Sequence, residues 1–385
     1  MRSLVTTLAI PAAFAGALAW FTYVRVRQER LDHALIVAVN RADTVRVKRL
    51  LDSGADANAR YKPAPQSIGP LDLLRSLSPR KPNEKTYAYP TALIFAADRG
   101  SADIVRLLLD HGANVNATEG GNGTALMFAA KNGDRTAVQL LLDRGADINR
   151  KDVAGESALM RAAMNEHWDL VDFLLSRGAE ANVRDKENYT PLLRAVYWPT
   201  YVVKRLVDRG ADVNARASSG WTALTDAASY NRFDLVALFI AQGADVNLKA
   251  DGGDSALMET VRTGSARDIW ALLSKGADVN AKGDEDRTAL MYAALDSRTD
   301  IIRLLLDHGA NIDAKDKYGR TALVYSATEG DAASVKLLLA RGADVNVHHR
   351  SQRQRDTPIV SALSRARKKG YTHIVALLKQ AGARE

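Results

Sequence analysis

Cysteine is absent from this chain of 385 residues. Its absence excludes thiol nucleophiles, disulfides, thiolate metal sites and a lipid-modified N-terminal cysteine, and it leaves the redox compartment open. The seven histidines show no HExxH spacing. His348 and His349 are adjacent but have no nearby third ligand in the sequence. The acidic turns Asp251–Asp254 and Asp284–Asp286 lack the ligand spacing of a calcium loop and read as hairpin tips. No phosphate-binding glycine loop and no GxSxG elbow occurs. With no catalytic set, no metal set and no cofactor motif, the sequence predicts a protein that is not an enzyme and that takes no small-molecule substrate.

Charge is also scarce where the high pI would lead one to look for it. The formal net charge is +8, but residues 1–30 hold Arg2, Arg25, Arg27 and Arg30 against one Glu, and residues 348–385 hold nine Lys or Arg against Asp356 and Glu385. The remaining middle carries 40 basic and 42 acidic residues. Basicity belongs to the ends, so nucleic acid is not the expected partner on pI alone.

Residues 4–24, LVTTLAIPAAFAGALAWFTYV, contain no charge. As a helix the run would be about 31 Å long, enough for a bilayer core. Trp20, Phe21 and Tyr23 cluster at its end and three arginines follow, as at a membrane interface. The expectation is therefore a single-pass transmembrane helix over 4–24, with the arginines holding the rest of the chain on the cytoplasmic side. A cleaved signal peptide, cut near Ala17–Ala19, and a periplasmic or secreted product are the alternative reading.

What the chain has in abundance is one turn. GADVN begins at Gly210, Gly243, Gly276 and Gly342, with near-copies at Gly54, Gly112, Gly145, Gly178 and Gly309. From Gly112 to Gly342 the steps are 33, 33, 32, 33, 33, 33 and 33 residues. Within one period, Thr124 stands at a helix N-cap and Leu126, Ala129 and Ala130 form an apolar stripe. KNGD then breaks the helix, Val138, Leu141 and Leu142 form a second stripe, and Gly145 stops it. Neither helix can bury its stripe alone, but stacked neighbours can.

This pattern resembles the ankyrin repeat, with its period of 33 and its TPLHxA signature. The corresponding stretches begin at Thr91, Thr124, Ser157, Thr190, Thr222, Ser255, Thr288, Thr321 and Thr357. The signature histidine is missing throughout; Ile94, Met127, Met160, Leu193, Thr225, Met258, Met291, Val324 and Val360 stand there. The resemblance implies an all-α ankyrin-repeat solenoid of about ten helix-turn-helix repeats with β-hairpin-like turns, over residues 31–385. The repeats are expected near 32–58, 88–116, 121–149, 154–182, 187–214, 219–247, 252–280, 285–313, 318–346 and 354–384. A Pro-rich insertion, 59–87, interrupts the period after the first repeat. The last repeat is seven residues too long, an excess the sequence splits between the stretch before Thr357 and ARKKG.

In this family the first helix of each pair and the hairpin tips face a groove that binds other proteins, so the resemblance implies a membrane-tethered, non-enzymatic interaction scaffold with a protein partner. The variable position four residues after each cap reads Phe95, Phe128, Arg161, Arg194, Asp226, Glu259, Tyr292, Tyr325 and Ser361. These side chains either face the partner or satisfy one another between repeats. Aromatics concentrate in the fifth and sixth repeats: Tyr189, Tyr197, Trp198, Trp221 and Tyr230. The expected partner-binding set is thus Phe95, Phe128, Arg161, Arg194, Tyr197, Trp198, Trp221, Asp226, Glu259, Tyr292 and Tyr325. Electrostatic binding of nucleic acid or anionic lipid by the basic last repeat is a further alternative.

Overall fold

A computed structural model describes residues 3–61, 89–349 and 360–384, with the backbone alone for 3–19, 348–349 and 360. The expected Pro-rich insertion falls almost wholly outside the described residues. The chain divides into two compact units, Met1–Lys186 and Glu187–Glu385.

The first unit is built from helices alone: α1 (Ser3–Asn40), α2 (Thr44–Asp52), α3 (Ala92–Asp98), α4 (Ala102–Asp110), α5 (Ala125–Lys131), α6 (Arg135–Asp143), α7 (Ala158–Met164) and α8 (Trp168–Ser176). The end of α1 and the short helices α3, α5 and α7 form one row; α2, α4 and α6 form another. Each short helix starts at a Thr or Ser whose hydroxyl accepts from the backbone N–H three residues on, as Thr91 does from Ile94 at 3.3 Å and Ser157 from Met160 at 3.4 Å. Alanine pairs such as Ala129–Ala130 and Ala162–Ala163 are buried between rows, where small side chains let neighbouring backbones approach.

The second unit begins irregularly. Thr190 still accepts from Leu193 N–H at 3.3 Å, but a turn and a 3-10 segment (Ala195–Tyr197) replace the first helix. Then follow α9 (Thr200–Asp208), α10 (Ala223–Ser229), α11 (Phe233–Ala241), α12 (Ala256–Thr263), α13 (Ala266–Ser274), α14 (Ala289–Leu295), α15 (Thr299–Asp307), α16 (Ala322–Glu329) and α17 (Ala332–Ala340). Two-residue strands β1 (His348–His349) and β2 (Val360–Ser361) pair antiparallel before α18 (Ala362–Lys369) and α19 (Thr372–Gln380). Again the first helices pack on one another in sequence order, and so do the second helices.

The recurring GADVN turn is where successive repeats are stitched together. Gly145 adopts φ 84°, a conformation glycine reaches without a Cβ penalty, and ends α6. Asn116 of the preceding turn donates its amide to the Gly145 carbonyl at 3.1 Å and accepts from Asp147 N–H at 2.8 Å. The same two bonds recur from Asn247 to Gly276 and Asp278, at 2.9 and 2.8 Å, and from Asn280 to Gly309 and Asn311, at 3.0 and 2.7 Å. A second ladder runs through the residue before each glycine: Arg144 pairs with Asp110 at 2.6 Å, Arg177 with Asp143 at 2.7 Å and Arg341 with Asp307 at 2.8 Å.

At Asp313 the stitch is half made. Its carboxylate accepts from Asp344 N–H at 2.9 Å, but a carboxylate cannot donate to the following glycine carbonyl as an asparagine amide does. Asp313→Asn should therefore raise stability by about 1 kcal/mol, read as a higher thermal midpoint. An unchanged or lower midpoint would show that the missing donor costs nothing.

Two expectations need correction. The single-pass anchor over 4–24 is not supported, because no helix among the described residues is long and apolar enough to cross a membrane. The described side chains of α1 begin at Trp20 and soon include Arg25, Arg27, Glu29, Arg30 and Asp32, with an Arg25–Glu29 pair at 3.3 Å. The helix then buries Leu35, Ile36, Ala38 and Val39. This part of α1 is a charged lead-in to the first repeat, and membrane tethering and single-pass localisation lose their support with the span.

The register of the last repeat also differs. Its first helix is capped not by Thr357, which lies outside the described residues, but by Ser361. Ser361 forms a reciprocal capping box with Ser364, at 2.9 and 3.1 Å. Thr-Pro is an attractive start signal in sequence, but SALS offers two capping bonds. All seven extra residues therefore precede Ser361, which leaves the variable row, and Arg365 takes the position four residues after the cap.

Candidate functional site

The variable row is the first place to look for recognition, because most of the other apolar positions of the first helices are buried. In the first unit Phe95 meets Tyr61 edge-on, ring centroids 5.7 Å apart. Phe128 lies under the Arg161 guanidinium at 5.8 Å. Arg161 in turn pairs with the buried carboxylate of Asp152 and with Glu156 at 3.5 Å. Asp152 is a hairpin-tip residue that also accepts from Ala154 and Glu156 N–H at 2.8 and 2.9 Å. Each of these row side chains is half-buried and has a neighbour.

In the second unit the row splits into two behaviours. Tyr292 and Tyr325 are buried, and their hydroxyls enter a network of hairpin-tip charges. Tyr292 donates to Asp254 at 3.3 Å. Tyr325 donates to Asp316 at 2.8 Å and accepts from Arg287 Nε at 3.1 Å. Arg320 donates to Asp316 at 2.7 Å, with its guanidinium 4.8 Å from the Tyr325 ring. Glu285 collects Lys317 at 2.8 Å, the Tyr318 hydroxyl at 2.8 Å and Arg287. Lys317 foremost, then Tyr318, hold the Glu285 carboxyl down at about 2. The sequence reading missed Glu285, Arg287, Asp316 and Arg320. The available signal was the Asp-x-x-Gly spacing of Asp316–Gly319, shared with Asp152–Gly155.

The fifth to seventh repeats look different. Aligned on their second helices, Tyr197 and Tyr230 are one period apart. Their rings meet edge-on at 5.0 Å, yet they remain 69% and 52% exposed. Hydrogen bonding with Tyr230, then burial, push the Tyr197 phenol up to about 12. One helical turn before Tyr230, Asp226 is half-buried, and burial alone pushes its carboxyl up to about 6. Glu259, the next residue of the row, is pushed up by burial first and by Asp254 second, against Arg262.

Neighbouring arginines are engaged elsewhere. Arg194 stacks over Tyr189 at 4.7 Å and lies 3.9 Å from Glu187. Arg262 lies over the Tyr292 ring at 5.7 Å. Arg232 clasps the irregular turn of the fifth repeat, donating to the Trp198 carbonyl at 3.0 Å, to the Val196 carbonyl and to the Thr200 hydroxyl at 3.2 Å, and it pairs with Asp234 at 2.8 Å. Arg232 foremost, with Thr200, holds the Asp234 carboxyl at about 2, although burial acts against them. Trp198 is only 7% exposed and Trp221 is half-buried. The Trp198 ring therefore belongs to the packing of the shortened repeat, a consequence of Trp198–Pro199 replacing the usual glycine turn.

Stacked helix pairs, capped by Thr or Ser and joined by asparagine-stitched turns with hairpin bridges such as Thr118↔Thr124 and Lys249↔Ser255, now match the pattern in sequence. A profile described as ankyrin repeats (3 copies) matches residues 35–152, 153–217, 200–283 and 257–349, more than half of the chain. The chain belongs to the ankyrin-repeat family. No curated protein matched it. Among the described residues of this ankyrin-repeat protein, no three His, Cys, Asp or Glu stand together as a metal-binding group.

Proposed function

We propose that this ankyrin-repeat protein is a non-enzymatic scaffold that binds a protein partner through the first-helix edge of its fifth to seventh repeats. The observation that supports it is the Tyr197–Tyr230 pair: two large aromatic side chains, adjacent in space and mostly in solvent, at the ends of successive first segments. Tyrosine gives much contact area for little lost entropy, and interface hot spots are enriched in it. Asp226 beside the pair, and Glu259 on the first helix of the next repeat, add charges that fix orientation. The other residues of the row, Phe95, Phe128, Arg161, Arg194, Tyr292 and Tyr325, serve the stack through the contacts above.

The test is affinity capture with the full chain, wild type against Tyr197→Ala with Tyr230→Ala, followed by a titration of the partner recovered. Loss of both rings should weaken binding by more than about 2 kcal/mol, roughly thirtyfold, with an unchanged unfolding midpoint because both rings are exposed. Equal affinity of the double variant would overturn this assignment.

A further inference from the structure

The variable row offers an internal comparison that bears on what the partner is made of. Phe95 has Tyr61, Phe128 has Arg161, and Arg161 has Asp152. Arg194 has Tyr189 and Glu187, Tyr292 has Asp254, and Tyr325 has Asp316 and Arg287. Between them stand Asp226 and Glu259. Both are half-buried, and among the described residues neither carboxylate takes a hydrogen bond or an ion pair.

A carboxylate withdrawn from water without a countercharge is an unfavourable arrangement. Three arginines of these repeats have other partners: Arg194 stacks on Tyr189, Arg232 holds backbone carbonyls and Asp234, and Arg262 lies over the Tyr292 ring and reaches Glu259 only as a through-space charge. The exposed tyrosine pair lies beside Asp226, one helical turn from Tyr230, and Glu259 follows on the first helix of the next repeat. Tyrosine faces attract cations, guanidinium above all, and carboxylates receive guanidinium through paired charge-assisted hydrogen bonds. The aromatic patch and the two carboxylates, Asp226 above all, thus complement one kind of group.

We infer that the surface formed by Tyr197, Tyr230, Asp226 and Glu259 receives an arginine- or lysine-bearing segment of the partner protein. This rests on the binding edge proposed above and adds the chemistry of its occupant. An acidic segment would meet two carboxylates already short of solvent, and a purely apolar one would complete their desolvation.

Two measurements on the full chain test it separately from the binding edge. The first is fluorescence anisotropy with labelled arginine-rich, glutamate-rich and uncharged peptides of equal length. The arginine-rich peptide should bind at least about tenfold more tightly than the others. Asp226→Asn with Glu259→Gln should weaken that binding by about tenfold or more, and Tyr197→Phe with Tyr230→Phe should preserve most of it. The second is a photo-crosslinking residue at position 230, with the crosslinked partner peptide mapped by mass spectrometry; that peptide should carry arginine or lysine at the crosslink. Equal binding of the three peptides, indifference to the double carboxamide change, or a neutral or acidic crosslinked segment overturns the cationic occupant. In that last case the binding edge itself stands. A partner that crosslinks nowhere near position 230 removes both.

Discussion

Asp316→Ala should lower stability by about 3–5 kcal/mol, the range for breaking a buried charge pair by removing one partner. The Asp316 side chain is fully buried. It accepts from Tyr318 N–H at 2.8 Å, Arg320 N–H at 2.8 Å, Arg320 Nε at 2.7 Å and the Tyr325 hydroxyl at 2.8 Å. Alanine strands all four donors, and water replaces few of them because Tyr325 and the hairpin cover the position. Asp316→Asn keeps an acceptor for the two backbone N–H groups but puts an NH2 donor where Arg320 Nε and the Tyr325 hydroxyl need an acceptor, so it should cost less than alanine while remaining destabilising. Chemical denaturation of both variants checks the ordering. An alanine variant as stable as wild type would mean that the network decorates the repeat without holding it.

Leu141→Ala should cost about 2–5 kcal/mol, and the damage should be local before it is general. Leu141 lies in α6, fully buried, where α6 packs on α5 of its own repeat and α4 of the repeat before. Removing its side chain opens a cavity between two repeats. Because stacked repeats contact only their neighbours, hydrogen exchange should accelerate first in α4, α5 and α6, and later or not at all in α1. Uniform loss of protection along the unit would argue for one cooperative core in place of nearest-neighbour coupling.

Much of this was legible in the chain itself. A period of 33 residues, with Thr or Ser at each cap, alanine and leucine at helical spacing and a glycine at each end, predicts helix pairs that must stack, because each element states locally what it does. What failed were inferences from segments whose meaning depends on surroundings. Residues 4–24 read as a span, but an uncharged run says only that a helix tolerates an apolar environment, and the described part of α1 is charged and then packed into the first repeat. Thr357–Pro358, outside the described residues, reads as a helix start, but the described helix is capped by Ser361 with Ser364, four residues later.

Sequence also placed the variable row without being able to say which way each side chain had resolved its needs. Tyr292 and Tyr325 bear the same letter as Tyr230, yet the first two are buried because Asp254, Asp316 and Arg287 come within hydrogen-bonding reach, while Tyr230 stays in solvent against Tyr197. Asp226 and Arg161 occupy equivalent positions; only Arg161 finds an opposite charge at its own hairpin tip. Trp198, expected among the binding residues, is buried in the shortened repeat. The repeat, its period and its caps were determined by the sequence alone, since they rest on contacts within a few residues. Which aromatic is covered, which carboxylate is paired and which is left without a partner was decided only by the tertiary structure, because those outcomes depend on what a residue some thirty positions away brings alongside.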